Sequence, residues 1–187
     1  MDLLDQAIYF ATEKHAGMTR KLSYSPYILH PLEVASIAST ISNNQELLAA
    51  AVLHDVVEDA GVSLEEVQEK FGPRVYELVK SETEDKRQDR PPEDTWQIRK
   101  KESLQDLKQT TDRDIKILWL SDKLANLRSY ARSYRAEGDA LWAHFNQKDP
   151  AMQQWYYECI AEYTNQLADT DAYQEYLQLV HEIFHHD

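Results

Sequence analysis

The chain has 187 residues and a formal net charge of −13, which disfavours a general nucleic-acid binder because a phosphate backbone would be repelled. Hydrophobic residues make up 42%, enough for a globular core, while only four Gly and six Pro favour long helices over a many-turned β fold. The single cysteine, Cys159, excludes an internal disulfide and a cysteine-rich zinc cluster, and it fits a reducing compartment.

The N-terminus, M-D-L-L-D-Q-A, lacks the basic-then-apolar pattern of a signal peptide, and no apolar run reaches the roughly 18 residues of a membrane span. A cytoplasmic protein without a membrane segment is expected. Leu3, Leu4, Ala7, Ile8, Phe10 and Ala11 recur with helical period over residues 3–16. A polar loop follows, with two adjacent cations at Arg20 and Lys21. Pro31 suits the first turn of a helix over about 32–42.

The stretch A-A-A-V-L-H-D-V-V-E-D, Ala49 to Asp59, predicts one continuous helix, apolar through its first half and acidic at its end. His54 and Glu58 stand four apart, as do Asp55 and Asp59, so each pair would share a helix face. Ionised carboxylates in an apolar setting are costly unless paired or bound to a metal. Ser63 and Glu66 predict a capping box opening a short helix to Phe71, and Gly72-Pro73 separates it from another helix ending near Ser81.

Residues 82–94 are strongly polar and read as a mobile loop or a solvated linker. Helices are expected over 95–110 and 112–135, the second with Ile115, Leu118, Trp119, Asp122, Leu124, Ala125, Leu127 and Tyr130 on a buried period. Aromatic stripes fill the last third (Trp142, Phe145, Trp155, Tyr156, Tyr163, Tyr173, Tyr176, Phe184) and read as core rather than a cofactor box. His181, His185 and His186 have no acidic partners in motif context and are expected at the surface. The fold class is all-α: a bundle of about eight to ten helices forming a single domain over 1–187. Its site is expected within 15–135, with helices over 139–185 as support.

His30, His54, Asp55 and Asp122 offer mixed nitrogen and oxygen donors for one divalent cation. Such a set suits manganese, iron or zinc better than calcium. Asp122 lies mid-helix among Leu118, Trp119 and Leu120, where a carboxylate calls for a partner.

Four collinear stretches carry a resemblance. They are R-K-x-S-x-x-P-Y-I-x-H-P-x-E-V-A (Arg20 to Ala35), A-x-L-H-D-V-V-E-D (Ala51 to Asp59), F-G-x-x-V-x-x-L-V (Phe71 to Val79) and S-D-K-L-A-N-L-R (Ser121 to Arg128). Together they resemble the HD-domain phosphohydrolases, and more narrowly the hydrolase domain of RelA/SpoT-type enzymes and the small alarmone hydrolases. The resemblance implies an all-α HD domain that binds one Mn2+, with Fe2+ or Zn2+ as lesser candidates. It implies hydrolysis of the 3′-pyrophosphate of guanosine tetra- or pentaphosphate to GDP or GTP plus pyrophosphate. His30, His54, Asp55 and Asp122 match the metal ligands, and Glu58 and Asp59 the acidic pair that activates or positions water. Arg20 and Lys21 match the basic pair at the nucleotide site, and Asn126 the polar residue one turn beyond the last ligand. The family's V-T-x-x-x-K region reads here S-E-T-E-D-K, Ser81 to Lys86; Thr83, Lys86, Arg99 and Lys100 remain candidates for nucleotide contacts. The run Arg99-Lys100-Lys101 reads equally as a solvated face. A phosphatase for another nucleotide such as NADPH, and a non-catalytic nucleotide-binding regulator on the same scaffold, are the alternatives. The resemblance implies a small nucleotide as the partner, with no nucleic acid and no membrane, and leaves a homo-oligomer as an option.

Overall fold

The computed structural model describes residues 2–87 and 89–185; His186 therefore lies outside the described residues. These residues form ten α-helices: α1 (Leu3–Lys14), α2 (Leu29–Ser39), α3 (Gln45–Leu53), α4 (Val56–Asp59), α5 (Leu64–Phe71), α6 (Pro73–Glu82), α7 (Pro92–Gln109), α8 (Arg113–Glu137), α9 (Pro150–Tyr163) and α10 (Asp171–Phe184). Two 3-10 segments, Gly138–His144 and Asn165–Leu167, join the last three. No strand occurs among the described residues beyond an isolated bridge from Thr19 to Pro26, and none of the helices is long and apolar enough to cross a membrane.

Local signals account for the helix starts. Asp2, Asn44, Ser63, Asp112, Asp149 and Thr170 each accept a hydrogen bond from a first-turn backbone N–H, satisfying donors that lack a partner within the helix. Gly72, with φ +89°, closes α5 and opens α6, and Pro73 takes the first position of the new helix.

The core is built around α3. Residues Leu47 to Leu53 are all buried, as expected of a helix apolar on every face. It packs against α1, α2, α6 and α8. Each buried Leu or Val there contributes about 1.5–3 kcal/mol of transfer free energy. The long α8 runs alongside and also meets α2 and α10. Arg128 on α8 ties both neighbours: Nε and Nη2 donate to the Glu175 carboxylate at 2.6 and 2.7 Å, and Nη1 donates to Glu33 at 3.1 Å.

The expected continuous helix over Ala49 to Asp59 is interrupted. α3 ends at Leu53, His54 and Asp55 form a turn, and α4 resumes at Val56. Asp55 adopts φ −93° and ψ −6°, outside ideal helical values. Adjacent side chains on an unbroken helix diverge by about 100°. The break is what lets His54 and Asp55 aim at the same point.

Candidate active site

Four elements converge at that point. His30 comes from the first turn of α2, His54 and Asp55 from the break between α3 and α4, and Asp122 from the middle of α8. His30 Nε2 lies 3.0 Å from Asp122 Oδ1 and 3.5 Å from Asp55 Oδ2; His54 Nε2 lies 3.1 Å from Asp55 Oδ2 and 3.5 Å from Asp122 Oδ1. His30, His54 and Asp122 are buried. Among the described residues, the ligand atoms of these three all fall within 4.8 Å of one another, with Asp55 beside them.

The donor chemistry fits a cation. His54 Nδ1 sits 2.8 Å from the Ala51 carbonyl, which can only accept, so Nδ1 carries the hydrogen. Nε2 is then a lone pair in the neutral ring, and it is buried without a hydrogen-bond partner. Facing two carboxylate oxygens, that lone pair is unfavourable unless positive charge lies between them. The field says the same. Burial alone would depress the His54 pKa, yet Asp55 and Asp122 outweigh it and raise it well above the usual value. Burial would likewise raise the Asp122 carboxyl, but Lys123, His30 and His54 hold it well below the carboxylate range. An environment that draws a proton onto a buried imidazole also draws a divalent cation.

Glu58 and Asp59 stand one turn further along. The backbone N–H of Glu84 donates to Glu58 Oε1 at 2.6 Å. Lys86 Nζ lies 3.1 Å from Glu58 Oε2 and 2.8 Å from Asp59 Oδ1. Burial pushes the Glu58 carboxyl above its ordinary pKa, while the Glu84 N–H and Lys86 act the other way.

Tyr27, which the sequence places in a motif but gives no role, bridges the two groups. Its hydroxyl is 2.7 Å from Asp55 Oδ2 and 2.8 Å from Asp59 Oδ2. Burial first, then those two carboxylates, push the phenol far above its usual pKa, so it acts only as a donor. The buried His15 ring stacks on it at 4.8 Å between centroids, and the Arg20 guanidinium lies over the Tyr27 ring, 5.3 Å from its centroid. Burial lowers the His15 pKa against the pull of Asp55 and Asp59, and neither of its nitrogens has a hydrogen-bond partner.

Arg20 Nη2 donates to Asn126 Oδ1 at 2.7 Å, and Asn126 Nδ2 donates to Asp122 Oδ1 at 3.0 Å. Arg20 is thereby linked through Asn126 to Asp122, a candidate metal ligand. Arg20, Lys21, Tyr27, Asp59 and Asn126 line a cavity of about 410 Å³ whose far wall includes Tyr130 and Phe145. A second cavity of about 500 Å³ opens beside Glu58, lined by Lys86, Arg90, Arg99 and Lys100. Lys21, Trp96, Lys100 and Tyr156 line a smaller one between them. The walls of these cavities extend beyond residue 135, to α9 and the coil before it.

Not every predicted residue reaches this space. Thr83 donates its hydroxyl to the Val79 carbonyl at 2.9 Å and lines a separate cavity with Ser103 and Trp119. Arg99 Nη1 and Lys100 Nζ both lie 2.7 Å from the Glu84 carboxylate, and Ser103 also donates to it. These cations line the second cavity while engaged with a carboxylate of the chain itself. The stretch read as a loop is accordingly pinned at Glu84 and Lys86.

The sequence profile of the HD domain matches residues 7–152. The chain belongs to the HD-domain family. A GTP pyrophosphokinase from Brucella abortus is 34% identical to this HD domain over 68% of the present chain but only 17% of its own length. The guanosine-3′,5′-bis(diphosphate) 3′-pyrophosphohydrolase of Drosophila melanogaster is 36% identical over 66% of each chain. The corresponding enzyme of Aquifex aeolicus is 42% identical over 43% of this chain and 11% of its own. Among solved structures, a Listeria monocytogenes EGD-e protein superposes with a TM-score of 0.71 at 31% identity, covering 83% of this chain and 98% of the other. A metazoan ortholog of SpoT, described as hydrolysing ppGpp, superposes with a TM-score of 0.76 at 24% identity over 96% of this chain and 94% of its own, a likeness of fold. Membership of the HD-domain family implies a divalent metal, and His30, His54 and Asp122 form a possible site for it.

Proposed function

We propose that this HD domain is a divalent-metal-dependent pyrophosphohydrolase acting on the 3′-pyrophosphate of guanosine tetra- or pentaphosphate and releasing GDP or GTP and pyrophosphate. The observation that carries the reading is the juxtaposition of the His30, His54, Asp55 and Asp122 cluster with the Glu58–Asp59 pair and the Arg20 guanidinium, all beside connected cavities. The relatives named for this reaction in Drosophila and Aquifex support the choice of substrate.

His30, His54, Asp55 and Asp122 would hold the ion, and manganese is the ion assigned here from among those that mixed imidazole and carboxylate donors accept. When bound, it supplies Lewis acidity toward a phosphoryl oxygen and lowers the pKa of water. Glu58, held by the Glu84 N–H and Lys86, accepts the proton from the attacking water. Asp59 and Tyr27 orient that water through their shared hydrogen bond. Arg20 and Lys21 neutralise phosphate charge at the rim of the cavity, and Asn126 fixes the Arg20 guanidinium. Lys86, with Arg99 and Lys100 behind it, provides positive potential on the other side of Glu58. The domain is read as one unit over 1–187, working in the cytoplasm on a small nucleotide.

The test is a product assay. Purified chain with Mn2+ is expected to release pyrophosphate from guanosine tetraphosphate, and His54→Ala or Asp122→Ala to abolish release. Orthophosphate release from NADPH, without pyrophosphate from the tetraphosphate, would replace this reading with that of a nucleotide phosphatase. Metal binding without turnover of either would leave a nucleotide-binding regulator.

A further inference from the structure

One buried ion pair beside the candidate metal ligands takes no direct part in binding substrate or moving a proton. Glu82, the last residue of α6, and Lys123, next to Asp122 on α8, retain only 3% and 12% side-chain exposure. Lys123 Nζ lies 3.0 Å from Glu82 Oε2, contacts Asp122 Oδ2, and sits 4.6 Å from the Trp119 ring. Trp119 Nε1 donates to the Ser81 carbonyl at 3.1 Å, so α8 and the end of α6 are locked together at this point. The other Glu82 oxygen is buried without a hydrogen-bond partner, which leaves Lys123 as its polar contact.

Burying an ion pair recovers little of what desolvation costs, so a buried pair is weak evidence of a stabilising role. A charge count gives it another. Two ligand carboxylates balance a divalent cation, and ligating imidazoles are neutral. Lys123 adds a positive charge against the outer oxygen of a ligand. By itself that charge would repel the ion and draw electron density from Asp122. Glu82 cancels it.

We propose that Lys123 and Glu82 are positioning residues for the metal centre: Lys123 holds Asp122 Oδ2 so that Oδ1 faces His30 and His54, and Glu82 neutralises Lys123 so that its ammonium does not oppose the cation. The inference rests on the divalent-cation reading of the site. It does not depend on which nucleotide is hydrolysed.

Mn2+ affinity of the purified chain, measured by calorimetry without nucleotide, tests it. The measurement is made at pH 8, above the value of about 7 to which burial pushes Glu82. Glu82→Gln keeps the shape and removes the charge, and it is expected to weaken Mn2+ binding by about tenfold to a hundredfold, the usual effect of losing an outer partner of a metal ligand. Glu82→Gln combined with Lys123→Met is expected to recover most of that loss, because both charges are gone. A merely structural role predicts the opposite, a double variant at least as weak as the single one. Unchanged affinity in Glu82→Gln, or no recovery in the double variant, overturns the proposal. Where circular dichroism shows the single variant unfolded, near-parental affinity in the double variant supports the proposal and a tenfold or greater loss overturns it. A wild-type chain that binds no divalent cation overturns the metal reading as well, whereas tight Mn2+ binding without pyrophosphate release overturns only the substrate assignment.

Discussion

His54 turns the lone pair of Nε2 toward Asp55 Oδ2, 3.1 Å away, while its other nitrogen donates to the Ala51 carbonyl at 2.8 Å. Two electron-rich atoms held this close in a buried setting repel unless a proton or a metal ion lies between them, and a divalent ion does so with the greater charge. Metal removal should therefore destabilise the fold as well as stop turnover. Free Mn2+ at a hundred times its Kd stabilises by about 2.7 kcal/mol through linkage. Thermal unfolding with chelator and after Mn2+ addition is expected to show a lower and then a restored Tm. A Tm indifferent to both would contradict the ligand assignment.

Glu58 must be ionised to take a proton, and burial raises its pKa. The acid limb of kcat/KM is therefore expected above the ordinary glutamate range, with activity full at higher pH and falling as pH drops through the raised value. Lys86 opposes that rise, so Lys86→Met should move the limb to still higher pH. Glu58→Gln should remove the limb and reduce kcat by about 10²- to 10⁴-fold. A pH–rate series on the three proteins distinguishes these outcomes from simple loss of substrate affinity.

Tyr27→Phe removes one hydroxyl and keeps the ring contacts with His15 and Arg20. The hydroxyl contacts Asp55 and Asp59. Loss of about tenfold or more in activity is expected, with a stability change of only about 1 kcal/mol. Parallel measurement of kcat and of the denaturation midpoint separates the two effects.

Arg20 meets the cavity while held by Asn126. Arg20→Ala is expected to raise KM by about tenfold to a hundredfold, the loss of a charge-assisted contact of about 1.5–3 kcal/mol. Asn126→Ala should give a smaller rise in KM, because the guanidinium remains but is less fixed. Steady-state kinetics at constant ionic strength provides the check.

The helical architecture was legible because apolar period, few glycines and side-chain caps agreed; Ser63 accepts the N–H of Glu66 as its spacing predicts. Donor chemistry and the family resemblance pointed to His30, His54, Asp55 and Asp122, and the fold brings their side chains together. The break at His54–Asp55 was hidden, because nothing in A-V-L-H-D-V-V signals a helix terminus and the interruption serves the site rather than local propensity. Tyr27 and Lys123 were inside quoted motifs, yet their roles depend on which atoms they meet across helices. Arg99 and Lys100 read in sequence as nucleotide contacts or as a solvated face, and only the fold reveals that Glu84 engages both.

The helix break has one more consequence. It places His54 and Asp55 at the end of α3, a helix buried on every face, while part of the cavity walls comes from coil and turn at Met18 to Leu22, at Glu84, Lys86 and Arg90, and at Phe145 and Asn146. Coil tolerates substitution and changes of length far better than a packed core does. These coil walls can therefore vary in composition and length without disturbing the packing that brings His54 and Asp55 together.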